Sequence, residues 1–176
     1  MSMKFATGSP INLTDSGKIA IAPDGCSYMR LFKSKTEQWS CNGTTTTIDS
    51  TGAVNKSADN GFSKGQFSTP ALSELDAKNS IKIISEDTAM VKLEVNIPGD
   101  YGQSLRTQVI IDKSDWLMKR LVVFVPGSGP IETGYIWQKF GSAPVLKEIN
   151  TVMPMGGFVK ISFSNYKRIK ALPKQK

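Results

Sequence analysis

The sequence predicts a mainly β protein, an antiparallel meander, sandwich or barrel of about ten to twelve strands with one or two short helices. Three observations carry this. Most segments between turns alternate apolar and polar residues with period two. Pro, Gly, Asn, Asp and Ser clusters punctuate the chain at short intervals. Only one segment carries the signature of a helix start. At 176 residues the chain is expected to form one domain over 1–176. Such a domain buries roughly 70% of its unfolded surface, enough for a core of its own.

The elements follow in order. Lys4-Phe5-Ala6-Thr7 is strand-like. Lys18 to Ala22 alternates and stops at Pro23-Asp24-Gly25. Tyr28 to Phe32 and Thr36 to Ser40 read as the arms of a hairpin, with Lys33-Ser34-Lys35 as its turn. Asn42-Gly43 marks a tight turn, and Thr44 to Ile48 is a β-branched strand. Gly52 to Ser68 lacks periodicity and reads as a loop or flap. Thr69 to Leu75 is the best helix: Thr69 can cap it, Pro70 suits its first position, and Leu72 with Leu75 gives a short apolar face. Strands resume at Ile81 to Ser85 and Met90 to Ile97. Leu105 to Ile111 follows, and Trp116 to Val125 is apolar enough to be central. After the Pro126-Gly127-Ser128-Gly129-Pro130 loop come Ile131 to Phe140, Val145 to Met153 and Val159 to Phe163.

Composition narrows the function. The chain is 39% hydrophobic and 21% charged, which argues against disorder. It contains no histidine, the commonest general base and metal ligand. No nucleophile elbow, phosphate-binding loop or zinc-protease motif is present. Gly127-Ser128-Gly129 lies between prolines with no helix after it, so a hairpin loop is the simpler reading. The carboxylates Asp112 and Asp115, Glu86 and Asp87, Glu132 and Glu148 read as solvated turn and strand acids rather than a catalytic pair. No catalytic residue, metal or cofactor is expected.

The net charge of +7 and pI near 9.4 favour anionic partners. The densest basic stretch is Lys167, Arg168, Lys170, Lys174 and Lys176. A solvated, frayed end is its simpler reading, against a specific anion site. Single-stranded nucleic-acid binding is an alternative function, with Phe158, Phe163 and Tyr166 among basic residues. Phe163 alternates with Val159 and Ile161, however, which makes core packing simpler, and no nucleic acid is expected as a partner.

Cys26 and Cys41 do not have zinc-site spacing. A fold-back centred between Lys33 and Ser34 places them opposite one another. A cross-strand disulfide is favoured over two separate buried thiols, and it would imply an oxidising compartment. No apolar run of about 18 residues exists, so no transmembrane helix is expected. No signal peptide is visible. Either the protein is cytoplasmic, or a leader was removed and Met1-Ser2-Met3 is an added start.

One-sided strands greatly outnumber covering elements. Either the sheet closes on itself, or its apolar face holds something else, such as a ligand. The candidate lining residues are Met29, Leu31, Trp39, Leu93, Val95, Val109, Ile111, Leu121, Tyr135 and Trp137. A dry core is the simpler reading of any one of them.

Four passages carry a family resemblance. Gly17-Lys18-Ile19-Ala20-Ile21-Ala22-Pro23 looks like a second strand with its terminating proline. Trp39-Ser40-Cys41-Asn42-Gly43-Thr44 and Ile110-Ile111-Asp112-Lys113, the latter followed by Trp116 to Phe124, look like two hairpins. Phe67-Ser68-Thr69-Pro70-Ala71-Leu72 looks like the Thr-Pro start of a short helix. In this order, over Phe5 to Leu172, the chain resembles the LolA-type outer-membrane lipoprotein carrier and lipoprotein-sorting family. The resemblance implies an incomplete antiparallel β-barrel, a half-barrel, with short helices across its open side. It implies non-enzymatic binding of lipid or lipoprotein acyl chains for transport or sorting. It also implies a periplasmic monomer that exchanges cargo with membrane-bound donor and acceptor proteins. The remaining alternative is an envelope interaction domain with a dry core. Two departures stand out. The carriers begin with an amphipathic helix, whereas this chain opens on a strand. They also place an arginine before the proline to latch the lid, where this chain has Ala22.

Overall fold

The computed structural model describes residues 1–8, 14–22, 24, 26–58, 81–98 and 104–173. Among them, thirteen strands form one antiparallel sheet. They are β1 (Ser2–Gly8), β2 (Thr14–Ile21), β3 (Ser27–Leu31), β4 (Glu37–Cys41), β5 (Thr44–Ile48) and β6 (Val54–Ala58), then β7 (Ile81–Glu86), β8 (Met90–Pro98), β9 (Ser104–Asp112), β10 (Leu117–Val125), β11 (Gly129–Phe140), β12 (Ala143–Val152) and β13 (Phe158–Ser164). The spatial order is β6-β5-β4-β3-β2-β1-β13-β12-β11-β10-β9-β8-β7. Two up-and-down meanders are therefore joined where the first strand meets the last. The sheet is open, with β6 and β7 as its edges, so the barrel is incomplete. No α-helix occurs among the described residues; Pro154–Gly156 forms a single 3-10 turn.

Local chemistry explains most of the turns. Asn42 and Gly43 take φ of 51° and 74° between the paired Cys41 and Thr44. That is the two-residue hairpin in which both central residues need positive φ. Gly141, at φ 64°, opens the two-residue link between Phe140 and Ala143, which pair. Exposed aspartates close other connections by accepting backbone N–H groups. Asp49 Oδ1 accepts from Thr51 and Ala53, Asp87 Oδ1 from Ala89 and Met90, and Asp112 Oδ1 from Ser114. Asp15 reaches across strands: its carboxylate accepts from the Lys33 and Ser34 amides at 2.8 and 2.9 Å. It thereby anchors the β3–β4 turn to β2.

Two sequence expectations are corrected. Val54–Ala58 lies within the stretch expected to be a loop, yet it pairs along β5 from Ile48↔Val54 to Thr44↔Ala58. Its Val-Asn-Lys-Ser sequence shows no apolar alternation because an edge strand of this kind buries neither face; Val54 to Ser57 are all exposed. It raises the strand count above the expected ten to twelve. Trp116 was expected to start a central strand. It sits instead in the turn at φ 55°, 66% exposed, and the strand begins at Leu117. The expected helix at Thr69 to Leu75 lies outside the described residues. So do residues 59–68 of the expected loop.

Register confirms the fold-back between Lys33 and Ser34. Ser27 pairs with Ser40 and Tyr28 with Trp39, which brings Cys26 and Cys41 together as a disulfide with Cα atoms 4.5 Å apart. Ser2 and Met3, read as a possible added start, are ladder residues: Ser2 pairs with both Lys18 and Ser164.

Two measurements test these staples. The disulfide closes a loop of 15 residues, so its reduction should lower unfolding free energy by about 3 kcal/mol. Thiol titration of oxidised, unfolded protein should find no free thiol. For Asp15, burial opposes the charge, but the hydrogen bonds from Lys33, Ser34 and Ser16 outweigh it and hold the carboxyl at about 2. This depressed group stabilises the fold above its ordinary value of 3.8, and the contribution is lost as pH falls towards 2. Asp15→Ala should cost about 1–2 kcal/mol at pH 7 in urea melts and should flatten the acid limb of the stability curve.

Candidate functional site

The pairing register decides which side chains share a face, because directly paired residues project to the same side of a sheet. One row runs Leu93–Val109–Leu121–Thr133–Thr151–Val159 across six strands. Another runs Val91–Ile111–Met118, and a third Tyr135–Ile149–Ile161. Beyond the β1–β13 junction the same face continues through Ile19–Met29 and Gly17–Leu31. Gly17 is required at this crossing: a Cβ there would collide with the Arg30 carbonyl oxygen. The result is one continuous apolar face spanning both meanders.

Met29, Leu31, Leu93, Val95, Val109, Ile111, Leu121, Tyr135 and Trp137 all belong to the core cluster on this face, four of them only partly buried. Trp39 does not. It pairs with Tyr28 and Thr46 on the opposite face, its ring 5.0 Å from that of Tyr28. The same register that opposes the cysteines opposes these two aromatics, so the signal was present in the sequence. With the disulfide, buried Tyr28, Trp39 and Thr46 form a second, smaller apolar cluster. The chain after β13 reaches it, and the Trp39 indole N–H donates to the Pro173 carbonyl at 3.3 Å. Residues missing from the candidate set but built into the main face include Met118, Leu146, Ile149 and Phe163. Register could have found them once β11 was paired with its neighbours.

On the main face the Thr133 and Thr151 hydroxyls hydrogen-bond each other at 3.0 Å, and the polar ends of the aromatic side chains serve the backbone. β-Bulges interrupt the register between Met118 and Arg120 and between Ile136 and Trp137. Near the first, the Trp137 indole N–H donates to the Met118 carbonyl at 2.7 Å. Near the second, the Tyr166 hydroxyl donates to the Leu146 carbonyl, beyond the end of the β12–β13 ladder at Glu148↔Ser162. Burial pushes the Tyr135 and Tyr166 phenols up to about 12, so both stay neutral and act as amphipathic packing groups.

The arrangement offers little to bond-making chemistry. No group of three His, Cys, Asp or Glu side chains that could hold a metal occurs among the described residues. Asp15, Asp49, Asp87 and Asp112 serve the turns described above. Glu148 is held low by Lys160, Asn150 and Ser162, its Oε2 lying 2.9 Å from Lys160 Nζ. Glu132 pairs with Arg120 and Glu86 with Lys113. The aromatic set considered for nucleic acid is also dispersed. Phe163 is 4% exposed in the core and Tyr166 is tied to Leu146, which leaves Phe158 exposed.

An open single-sheet half-barrel with one apolar face defines a fold class, and solved structures share it. The chain has a LolA-like fold. A putative outer-membrane lipoprotein-sorting protein domain from Vibrio parahaemolyticus superposes with a TM-score of 0.72 at 10% identity, covering 98% of this chain and 86% of that one. A LolA superfamily protein from Nitrosomonas europaea gives 0.67 at 10% identity, with 98% and 86% covered. A DUF1329 family protein from Desulfovibrio piger gives 0.66 at 15% identity, with 98% and 87% covered. No sequence-family model matches the chain, and no curated protein matches it. At 10% and 15% identity the likeness is one of fold.

The role assigned to Trp137 has a direct test. Trp137→Phe keeps an aromatic ring on the face but leaves the Met118 carbonyl without its donor, and should cost about 1–3 kcal/mol in denaturant melts.

Proposed function

We propose that the protein is a non-enzymatic binder of lipid or lipoprotein acyl chains, working in the periplasm in transport or sorting towards the outer membrane. The observation that carries the proposal is the continuous apolar face, which runs from β8 through the β1–β13 junction to β3 on a sheet that remains open. The LolA-like fold supports the reading, as do the printed descriptions of two structural neighbours, one a LolA superfamily protein and one a putative lipoprotein-sorting domain. The Cys26–Cys41 disulfide supports an oxidising compartment.

An acyl chain gains about 0.8 kcal/mol per buried CH₂, so a surface with no reactive group holds it well. Release then depends on a better acceptor or on a change in what covers the face. Donor and acceptor proteins at the two membranes, with a monomeric carrier between them, fit this scheme. The Ala22 side chain has no donor with which to hold a lid, and its backbone N–H donates to the Cys26 carbonyl at 2.8 Å, closing the β2–β3 turn.

A second reading is favoured by the low exposure of the same face. Val95 is 0% exposed and Leu93 7%, as in a dry core. An envelope protein-interaction domain would then work through its outer surface. Lipid extraction with mass spectrometry, together with uptake of a fluorescent fatty acid, separates the two. Acyl binding predicts co-purified lipid and saturable uptake. Leu93→Trp, or Leu121→Asp at a less buried position, should reduce uptake at least tenfold while the circular dichroism stays β-type. Trp39→Phe, on the other face, should leave uptake unchanged. Absence of both lipid and uptake in the parent protein would establish the dry-core reading.

A further inference from the structure

The main face does not stop at β3; its chemistry changes there. The row Ile19–Met29 continues through Gln38, Thr47 and Asn55, and the row Ile21–Ser27 continues through Ser40, Thr45 and Ser57. These ladders run without a register shift. The inward side chains of β4, β5 and β6 therefore share the side of the sheet that carries Met29 and Leu31. Every one of them is uncharged, and every one can both donate and accept hydrogen bonds. The charged residues of the same strands, Glu37 and Lys56, project to the other side with Trp39, Ile48 and Val54.

The opposite edge behaves differently. Ile81 pairs with Val95 and Ile83 with Leu93, so the face stays apolar as far as β7. It is hydrocarbon from β7 to β3 and neutral hydrogen-bonding surface from β4 to β6. A sheet edge that meets only water usually carries charge, lysine above all, yet these inward positions carry none in a chain that is 21% charged. Part of the patch is satisfied internally. The Ser40 and Thr45 hydroxyls lie 2.8 Å apart, and the Gln38 amide donates to Ser40 at 3.4 Å. The rest keeps its capacity. Thr47 is half-buried, Asn55 and Ser57 are exposed, and their side chains make no hydrogen bond among the described residues.

We infer that this patch is the headgroup subsite of the apolar face, and that it selects an amphiphile whose headgroup is uncharged and bears hydroxyls, a glycerol or a sugar, over one that bears a phosphate. The inference rests on the acyl-chain reading of the same face. Chains lie against β8 to β3 and the headgroup against β4 to β6, so the polarity of the sheet fixes the direction in which the ligand lies. The selection follows from the cost of desolvation. Hydroxyls that leave water for Gln38, Thr47 and Asn55 exchange one set of hydrogen bonds for another. A phosphate moved to the same place loses hydration and meets no cation. The net charge of +7 draws anionic lipid to the molecule as a whole, so a preference for neutral headgroups has to arise locally.

The test is displacement of the bound fluorescent fatty acid from the full chain by competitors of identical acyl length: a monoacylglycerol, an acyl glucose, the methyl ester and the acylglycerol phosphate. The first two should displace at concentrations roughly tenfold below the other two, the sum of a few neutral hydrogen bonds. The methyl ester is more apolar than either, so its weaker displacement separates headgroup recognition from hydrophobicity. The better of the two hydroxylated competitors identifies glycerol or sugar as the source. Gln38→Leu/Thr47→Val/Asn55→Leu should make the methyl ester the better competitor while fatty-acid uptake persists. Thr47→Lys should shift the preference towards the acylglycerol phosphate, and Lys56→Gln, on the other side of β6, should change nothing. Equal displacement by the methyl ester or the phosphate in the parent protein would overturn the subsite, as would a triple variant that keeps the parent's order of competitors. Uptake without that order overturns this inference alone; absence of fatty-acid uptake overturns the acyl-chain reading and this inference with it.

Discussion

The β1–β13 ladder joins two meanders that would otherwise be separate sheets. Seven residue pairs, from Ser2↔Ser164 to Gly8↔Phe158, tie the first strand to the last. Every other ladder in the sheet joins strands adjacent in sequence. The apolar face is continuous only because this ladder sets Ile161 and Phe163 beside the β2 residues that follow. Such a contact closes nearly the whole chain, and its entropic cost must be met before the pairs on either side repay it. The local hairpins, with Asn-Gly and Gly-Ser turns that form cheaply, lower the remaining cost of assembling each half.

The parts of this architecture legible in the sequence are those in which one face is buried. β8 and β9 read plainly because Val91, Leu93 and Val95 oppose Ile111, Val109 and Thr107 in strict alternation. The Cys26–Cys41 pairing followed from counting residues about a turn. β6 was illegible because a polar edge strand carries no alternation to read; its only signal is the hydrogen bonding of β5. Trp39 was assigned to the wrong face because a hairpin's amphipathicity is ambiguous when both faces hold aromatics. Met29 and Leu31 mark one side, Tyr28 and Trp39 the other, and only the parity implied by the cysteines distinguishes them. Trp116 was misread because hydrophobicity was given more weight than the turn formed by Lys113-Ser114-Asp115, whose geometry extends one residue further.

Reinforcement is concentrated at one end of the strands. The disulfide, both carbonyls capped by aromatic side chains, and the contacts of Tyr166 and Pro173 all lie where β2, β9, β11 and β13 end and β3, β10 and β12 begin. Two of the three register shifts among the described strands, those in the β9–β10 and β11–β12 ladders, fall nearby. A bulge raises local twist and leaves a backbone group unpaired, and an indole or phenol can satisfy it while keeping an apolar ring against the core. Trp137 and Tyr166 thus do structural work that an aliphatic residue of equal volume could not. Their hydroxyl and N–H groups point at backbone, which leaves the face itself apolar.

The basic excess is distributed by the same logic. Among the described residues the acids are engaged locally: Asp15, Asp49, Asp87 and Asp112 hold turns, and Glu37, Glu86, Glu94, Glu132 and Glu148 each neutralise a neighbouring base. Lys18, Lys167 and Arg168 form no ion pair among the described residues. Fastening the terminal segment at Tyr166 and Pro173 holds the charges of Lys167 and Arg168 in place rather than leaving them on a frayed tail. Fixed charges lose less entropy on meeting an anion than flexible ones do. The sequence could show only that the tail was basic; the two aromatic anchors that hold it, one on β4 and one on the segment itself, are what give that charge a position.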